Sequence, residues 1–323
     1  MQAAMISRAK ELLQGGQVQR VLGWKAGEFA YDVTPAVFQS AEEVEAGFLY
    51  NDFCGANLSK YLIQESRKPG KVLVFLKPCD TYSFNQLVKE HRILRENIYA
   101  IGVPCEGKTD GERLKAAGLR GILSLKAEGD RFLVETLYGP QELAKAQALP
   151  ERCQNCKSKK HVAYDELMGE EGQVLESGRF DMVEKLEAMA PDERFRFWQG
   201  ELSRCIRCNA CRNVCPACSC EKCIFDNDAS GVAQKAAANS FEESMFHIIR
   251  AFHVAGRCTD CGECSRVCPQ QIPLHLLNRK FIKDIDTFYG DYQAGEDTES
   301  RAPLTNYTEG DVEPSIVYQR GGN

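Results

Sequence analysis

Sixteen cysteines are the residues of this chain with the clearest capacity for chemistry. Eight of them form two copies of one pattern, at residues 205–216 and 258–269, in which three cysteines are spaced by two residues and a fourth, followed by proline, comes after three more. Thiolates at this spacing bind a pair of 4Fe-4S clusters, and the fourth cysteine of each copy binds the cluster of the other copy. The pattern therefore predicts one cluster bound by Cys205, Cys208, Cys211 and Cys268, and a second bound by Cys258, Cys261, Cys264 and Cys215.

Structural zinc is the alternative metal for such a pattern, since pairs of cysteines separated by two residues also bind zinc. Zinc needs only two such pairs per site, however. It does not account for a third cysteine at the same short spacing, or for the fourth cysteine before proline. Because both copies carry all of these features, the pattern favours iron–sulfur clusters.

The first half of the chain alternates between strand-like and helical patterns, which predicts an α/β domain with a mostly parallel sheet. Apolar strands are expected over residues 71–76 and 98–103. The carboxyl ends of parallel strands lie at one edge of a sheet, so Cys79 and Cys105, just beyond these strands, are expected to lie close together. With the pair Cys153 and Cys156 they are predicted to bind a third cluster. The alternative is four free thiols buried like small hydrophobic side chains.

The remaining cysteines are Cys218, Cys220 and Cys223, which are close in sequence, and Cys54, which is far from them. Together these could form a further metal site if the two domains meet there. Equally, Cys54 could join the sheet-edge site and displace one of its ligands, which would leave the other three as a zinc site or as free thiols.

The patterns divide the chain into four parts: an α/β domain over 1–165, a helical connector over 166–200, an α-helical dicluster ferredoxin domain over 201–285, and an acidic, extended tail over 286–323. In the connector, Pro191 is expected to interrupt an amphipathic helix over 182–190. In the ferredoxin domain, apolar residues at helical spacing predict a helix over 239–255, on which His247 and His253 are expected to pack rather than to bind metal. The tail is predicted to be disordered or to lie along a partner.

Composition excludes several classes of protein. The net charge is −6 and no basic block is present, which argues against nucleic acid as a partner and favours protein partners. No apolar run approaches the roughly 18 residues of a membrane-spanning helix, so no membrane insertion is expected. The first residues lack the apolar core of a secretory signal, which predicts a soluble protein in a reducing cytoplasm.

The two cysteine-rich regions resemble known families. CIRCNACRNVCP and CTDCGECSRVCP, separated by a helical insert, resemble the α-helical ferredoxin domains of heterodisulfide reductase and of succinate dehydrogenase iron–sulfur subunits. LKPCD at 76–80, GVPCEGKTDG at 102–111 and CQNCKSKKHVAYDELMGE at 153–170 resemble the beta subunits of deazaflavin-type hydrogenases and formate dehydrogenases. More loosely, they resemble the electron-transfer subunits of sulfhydrogenase and anaerobic sulfite reductase. The chain differs in carrying its ferredoxin module at the C-terminal end.

That resemblance implies an electron-transfer role, with Cys79, Cys105, Cys153 and Cys156 at the matching positions. The chain is predicted to be a non-catalytic subunit of a soluble anaerobic redox complex that relays electrons through several 4Fe-4S clusters. Its expected partners are a flavoprotein, a hydrogenase or formate dehydrogenase, or a heterodisulfide reductase-like protein. The alternative is a catalytic beta subunit that binds FAD and reduces a deazaflavin or an NAD-type hydride carrier, although no G-x-G-x-x-G follows a strand. A third hypothesis, from another class, is a zinc-bearing interaction or regulatory protein.

Overall fold

The computed structural model describes residues 1–157, 159–173, 178–227 and 240–305. Within these residues the strands are β1 (Arg20–Ala26), β2 (Val33–Phe38), β3 (Val72–Leu76), β4 (Ile98–Gly102), β5 (Ile122–Glu128), β6 (Arg131–Thr136), β7 (Gly139–Ala144) and β8 (Glu166–Leu167). The α-helices of the N-terminal part are α1 (Gln2–Gln14), α2 (Ala41–Gly47), α3 (Leu62–Glu65), α4 (Pro78–Lys89), α5 (Gly111–Ala116), α6 (Lys145–Ala148) and α7 (Glu151–Gln154). Those of the C-terminal part are α8 (Asp181–Glu187), α9 (Pro191–Leu202), α10 (Ala210–Asn213), α11 (Ser240–His253), α12 (Glu263–Arg266) and α13 (Leu274–Tyr289).

The main sheet has five strands in the order β2-β1-β3-β4-β8, and it is mixed. Strand β1 pairs antiparallel with β2, whereas β1 with β3, β3 with β4, and β4 with β8 pair parallel. The last strand of this sheet, β8, begins at Glu166, one residue after the predicted end of the α/β domain at residue 165. The N-terminal part is therefore an α/β domain, as predicted, built on a mixed sheet.

The central strand of this sheet, β3, positions Cys79, a predicted ligand of the third cluster. Every residue of β3 is apolar and buried, because helices cover both faces of a central parallel strand. Pro78 then begins α4, and proline suits the first turn of a helix because its missing N–H would have no partner there. Cys79 follows directly and is thus held at the carboxyl edge of the sheet.

A second sheet was not predicted from the sequence. Strands β5, β6 and β7 form an antiparallel three-stranded sheet, with a small core around Phe132 and Val134. These strands carry many exposed polar residues, and only the alternation in β6 marks a buried face. The weak pattern explains why this sheet was missed.

The connector is more helical than predicted. The predicted interruption is present, since α8 ends at Glu187; Pro191 then begins a second helix, α9, at a position where proline is favoured. The aromatic residues Phe197 and Trp198 lie on this helix and pack on a small cluster with Val183 and Leu276. The connector is thereby joined to α13 of the C-terminal part.

The acidic segment after Gly290 also differs from its prediction. Its described part, to Thr305, packs on the chain's own N-terminal domain along α4. Lys89 pairs with Asp297 and lies over the ring of Tyr292, and the amide of Asn85 donates to the carbonyl of Glu296. Ala294 and Ala302 are buried. The rest of the predicted tail, residues 306–323, lies outside the described residues.

None of the described helices combines the length and the apolar character needed to cross a membrane.

Candidate iron–sulfur sites

The two cysteine patterns share one backbone conformation. Arg207 and Asn209 in the first copy, and Asp260 and Gly262 in the second, all have positive φ between 55° and 68°. Each of these four residues stands at the same position relative to the cysteines of its copy, and each copy then enters a short helix, α10 or α12. Successive residues of opposite handedness turn backbone N–H groups toward one point and form a concavity that binds anions, as in many iron–sulfur sites. The backbone therefore fits an anionic cluster in both copies.

The first predicted ligand set lies together. Cys205, Cys208, Cys211 and Cys268 line one small cavity, so the structure brings the fourth cysteine of the second copy to the first copy. Backbone N–H groups point at two of the sulfurs: that of Arg207 donates to Cys205 Sγ at 3.4 Å, and that of Ile272 to Cys268 Sγ at 3.5 Å. Such N–H···S contacts stabilise thiolates and influence the potential of a cluster.

A histidine completes the surroundings of this set. His247 Nε2 lies 3.2 Å from Cys205 Sγ, inside the protein. Burial, together with the nearby Arg250 and Arg207 guanidinium groups, lowers the pKa of His247 to about 3. The ring is therefore neutral, and an Nε2–H can donate to the Cys205 thiolate. The expected packing role of His247 thus includes a direct contact with a candidate ligand.

The second predicted set is also adjacent in space. Cys215 interacts electrostatically with Cys258, Cys261 and Cys264. Burial raises the pKa of each of the last three, to about 12 for Cys261. A metal that binds such thiols displaces their protons to solvent, because its positive charge stabilises the buried thiolates. The donor set therefore fits a thiolate-bound cluster.

Arg250 of α11 lies between the two sets. Its side chain is only 2 % exposed, and its guanidinium interacts electrostatically with Cys211 of the first set and with Cys215 and Cys264 of the second. It also donates to the carbonyl of Cys211 at 3.3 Å. A buried cation beside two anionic clusters compensates part of their charge.

The third predicted set converges at the carboxyl edge of the sheet. Cys79, Cys105, Cys153 and Cys156 line a common cavity, and so does Cys261 of the second set. Cys79 and Cys153 are half-buried, and the desolvation of their thiols raises the pKa of both. Arg152, Lys157 and Lys159 line the same cavity and supply positive charge against an anionic ligand.

The contact between the domains is made at this third cavity. Arg152 donates to the carbonyl of Cys261 at 2.9 Å, and Lys157 donates to the carbonyl of Thr259 at 2.6 Å. The Thr259 hydroxyl in turn lies 2.8 Å from the Ser83 hydroxyl of α4. The loop that carries the second set is therefore bonded directly to the elements that carry the third.

Glu263 anchors the same interface. Its carboxylate is buried, accepts two bonds from Arg266 at 2.7 and 2.8 Å, and accepts the backbone N–H of Asn57 at 3.1 Å. Arg152 lies 3.5 Å away. Burial opposes ionisation of Glu263, but Arg266 and Arg152 outweigh it and lower the pKa of Glu263 to about 2.

The last four cysteines do not come together. Cys54 is fully buried in the core of the N-terminal domain, where its sulfur contacts Asn51 and the carbonyl of Leu49. Cys218, Cys220 and Cys223 instead line a cavity beside α11, which Cys54 does not reach. Nor does Cys54 line the sheet-edge cavity. The structure thus places Cys54 neither with Cys218, Cys220 and Cys223 nor at the sheet-edge site, the two positions that the sequence left open for it.

Two residues of these sites, Lys77 and His161, were not singled out from the sequence. Lys77 and Asp80, both nearly fully buried behind Cys79, form an ion pair of 2.6 Å. His161 joins the ends of β3 and β4, with Nε2 at 3.1 Å from the carbonyls of Leu76 and Val103. Isolated charged residues in sequence are common on surfaces, so only their burial distinguishes these.

Among the described ranges, no three His, Cys, Asp or Glu side chains lie close enough to hold a single metal ion.

Comparison with known proteins first defines the class of the C-terminal region. Residues 201–272 match the family described as a 4Fe-4S dicluster domain. This range contains both copies of the cysteine pattern. The prediction of 4Fe-4S clusters in this protein is confirmed.

Relatives extend over nearly the whole chain. The chain is 26% identical to the F420-dependent formate dehydrogenase subunit beta of Methanocaldococcus jannaschii, over 94% of each chain. It is 25% identical to the F420-dependent formate dehydrogenase 1 subunit beta of Methanococcus maripaludis, over 93% of this chain and 92% of the relative. The predicted resemblance to the beta subunits of deazaflavin-linked dehydrogenases, joined to a dicluster domain, is therefore confirmed. So is the prediction of an iron–sulfur electron-transfer subunit of a redox complex.

Among solved structures, the chain matches a chain of the F420-reducing [NiFe] hydrogenase complex of Methanosarcina barkeri, with a TM-score of 0.39 and 12% identity. The match covers 63% of this chain and 86% of that chain. A likeness at this level supports no conclusion about the fold.

Proposed function

We propose that three 4Fe-4S clusters of this chain form a linear relay. The third set (Cys79, Cys105, Cys153, Cys156) stands at one end, the second set (Cys258, Cys261, Cys264, Cys215) in the middle, and the first set (Cys205, Cys208, Cys211, Cys268) at the other end. The observation that carries the proposal is the double role of the middle set. Cys261 lines the cavity of the third set, and Cys264 interacts electrostatically with Cys211 of the first.

The first set is the proposed point of exchange with a partner. Cys208 is the exposed member of these twelve cysteines, and its neighbour Ile206 is 61 % exposed. An exposed ligand brings a cluster to the surface, where an electron can pass to a docked protein without crossing further side chains. By comparison with its relatives, we place the chain beside the catalytic subunit of a formate dehydrogenase, or of a similar redox enzyme, in a soluble, cytoplasmic complex.

The chain's own residues have two tasks in this function. The cysteines hold the irons in a fixed geometry, so that electrons arrive and leave with little rearrangement. The buried cations Arg152 and Arg250 offset the negative charge that each reduced cluster would add. No residue is assigned the role of a general acid, base or nucleophile.

The finer predictions of architecture belong to the same proposal. We interpret residues 201–285 as an α-helical ferredoxin domain, supported by helices α11 and α13 that flank the second cysteine pattern. We keep 166–200 as a helical connector and 286–323 as the acidic C-terminal segment. Three parallel pairings against one antiparallel pairing in the main sheet support a mostly parallel arrangement there.

Replacement of Cys79 by serine tests the third cluster. We expect the variant, reconstituted under anoxic conditions, to lose about four iron atoms per chain. The EPR signals of the two ferredoxin clusters should remain after reduction, because their ligands lie in the other domain. Cys54→Ala is the matched control and should retain all the iron. Cys54 lies in the apolar core and lines neither the cavity of the first set nor that of the third. Unchanged iron in Cys79→Ser would contradict the assignment of the third set.

A second candidate function is a flavin-containing subunit that reduces a deazaflavin, and the names of the relatives favour it. It predicts about one FAD per chain in the anoxically purified polypeptide, and reduction of the deazaflavin by the isolated protein when an electron donor is supplied. Flavin extracted by acid and quantified by fluorescence measures this. A polypeptide that holds iron and sulfide but never flavin would exclude this second function, and the electron relay would then be the sole candidate.

A further inference from the structure

A third cysteine-lined cavity lies beside the relay. It has a volume of about 340 Å³ and is formed between the loop after Pro216, the end of α11, and the N-terminal domain. Cys218, Cys220 and Cys223 all line it; Cys220 is exposed, and the other two are half-buried. Three thiols that converge on one cavity are an unusual arrangement for residues with a merely structural role.

Positive charge surrounds these thiols. The cavity is lined by Lys60, Arg212, Arg250 and Arg257. Lys60 and Arg257 interact electrostatically with both Cys218 and Cys220, and Arg212 interacts with Cys223. Each of the three sulfurs thus has a cationic partner. Glu221 and Asp226 also line the cavity, and Asp226 pairs with Arg212 at 2.9 Å, but the four cations outnumber these carboxylates, so the wall is suited to thiolates and to an anionic ligand.

Arg250, which lies between the first two ligand sets, also lines this cavity. It is 2 % exposed, and its Nε is buried without a hydrogen-bond partner among the described residues. A buried guanidinium N–H without a partner is unfavourable, unless a group absent from the protein chain accepts from it. This side chain lines the cavity and interacts electrostatically with Cys218.

The chemistry of the three thiols indicates which metal group this cavity would bind. Thiolates prefer Zn, Cu(I) and iron–sulfur clusters. A structural zinc site is closed by four ligands around one ion, whereas here three sulfurs face a cavity much larger than a single ion. An iron–sulfur cluster carries negative charge, which matches the four cations of the wall. Three protein thiolates also leave one iron of a cubane without a cysteine ligand.

We infer that Cys218, Cys220 and Cys223 bind a fourth 4Fe-4S cluster, whose remaining iron faces the 340 Å³ cavity and is open to a small exogenous ligand. Cys54 has no part in this site. Cys218 packs beside Cys215, and its backbone N–H donates to the Cys215 carbonyl at 3.1 Å, so the fourth cluster adjoins the middle of the relay. The inference rests on the proposed function in taking Cys215 as a ligand of the second cluster.

The iron content of the full chain tests this inference. After anoxic reconstitution we expect about 16 iron atoms per wild-type chain and about 12 in the triple variant Cys218→Ser, Cys220→Ser, Cys223→Ser. The single variant Cys220→Ala changes an exposed residue and cannot disturb the core, so it should also lose the fourth cluster while folding normally. Cys54→Ala should keep the wild-type iron content.

The outcomes separate this inference from the relay itself. Equal iron in the wild type and the triple variant would overturn it, and so would stoichiometric zinc in place of iron. Loss of iron in Cys79→Ser, but not in the triple variant, would leave the relay intact and exclude the fourth cluster. Added cyanide should change the EPR spectrum of the reduced wild type and not that of the triple variant; no change in either would overturn the open iron.

Discussion

Replacement of Cys261 by serine is expected to remove the second cluster and to loosen the contact between the domains. Cys261 belongs to the middle ligand set and also lines the cavity of the third. Its carbonyl accepts from Arg152, so the backbone around it is part of the interface. Because ligation and folding are coupled, loss of about four iron atoms should be accompanied by a lower unfolding midpoint of the anoxic holoprotein.

Cys208→Ser is the matched comparison for this change. Cys208 is exposed and contacts no residue of the N-terminal domain in the cavity it lines. This variant should also lose about four iron atoms, but with a smaller change in the unfolding midpoint. Iron content and acid-labile sulfide, measured beside denaturant unfolding, distinguish the two effects. If iron is unchanged in either variant, the corresponding ligand set is wrong.

Replacement of Glu263 by glutamine should give the largest loss of stability that does not involve a cysteine. Glutamine keeps the shape of the side chain and an oxygen for the N–H of Asn57, but it removes the charge that faces Arg266 and Arg152. Breaking a buried ion pair leaves uncompensated charge inside the protein and costs about 3–5 kcal/mol. Denaturant unfolding of the anoxic holoprotein at pH 7 measures this difference.

Glu142→Gln is the control for that experiment. Glu142 also pairs with an arginine, Arg131, at 2.8 Å, but both side chains are more than half exposed on the small antiparallel sheet. Exposed pairs contribute about 0–1 kcal/mol, because water and salt screen them. A loss in Glu263→Gln no larger than in Glu142→Gln would mean that the interface does not depend on this carboxylate.

The sequence predicted the sites best where the ligands lie in one short segment. The spacing within 205–216 and within 258–269 restricts the backbone so strongly that each copy adopts the same alternation of positive and negative φ. The pairing of Cys79 with Cys105 was also predictable, because the carboxyl ends of adjacent parallel strands must lie at one edge. Both inferences depend on local geometry alone.

Prediction failed where the answer depended on packing between distant segments. Cys54 and Cys218 are equally plausible metal ligands in sequence, yet one lies in the apolar core and the other in a charged cavity. The antiparallel sheet β5–β7 was missed because most of its surface is polar. The segment after Gly290 is poor in apolar residues, but it packs on α4 through an ion pair, a cation–π contact and backbone carbonyls.

The sequence by itself determined the chemistry of this protein: thiolates in two identical short patterns, and therefore clusters that carry electrons. Only the tertiary structure decided how the sites are connected. Cys261 reaches the cavity of the third set because the loop before α12 is hydrogen-bonded to α4. Arg250 comes to lie among the sulfurs of two sets because α11 and α12 both pack on α13. The spacing of ligands within a loop is set by covalent geometry, whereas the distance between loops is set by the burial of the elements that carry them.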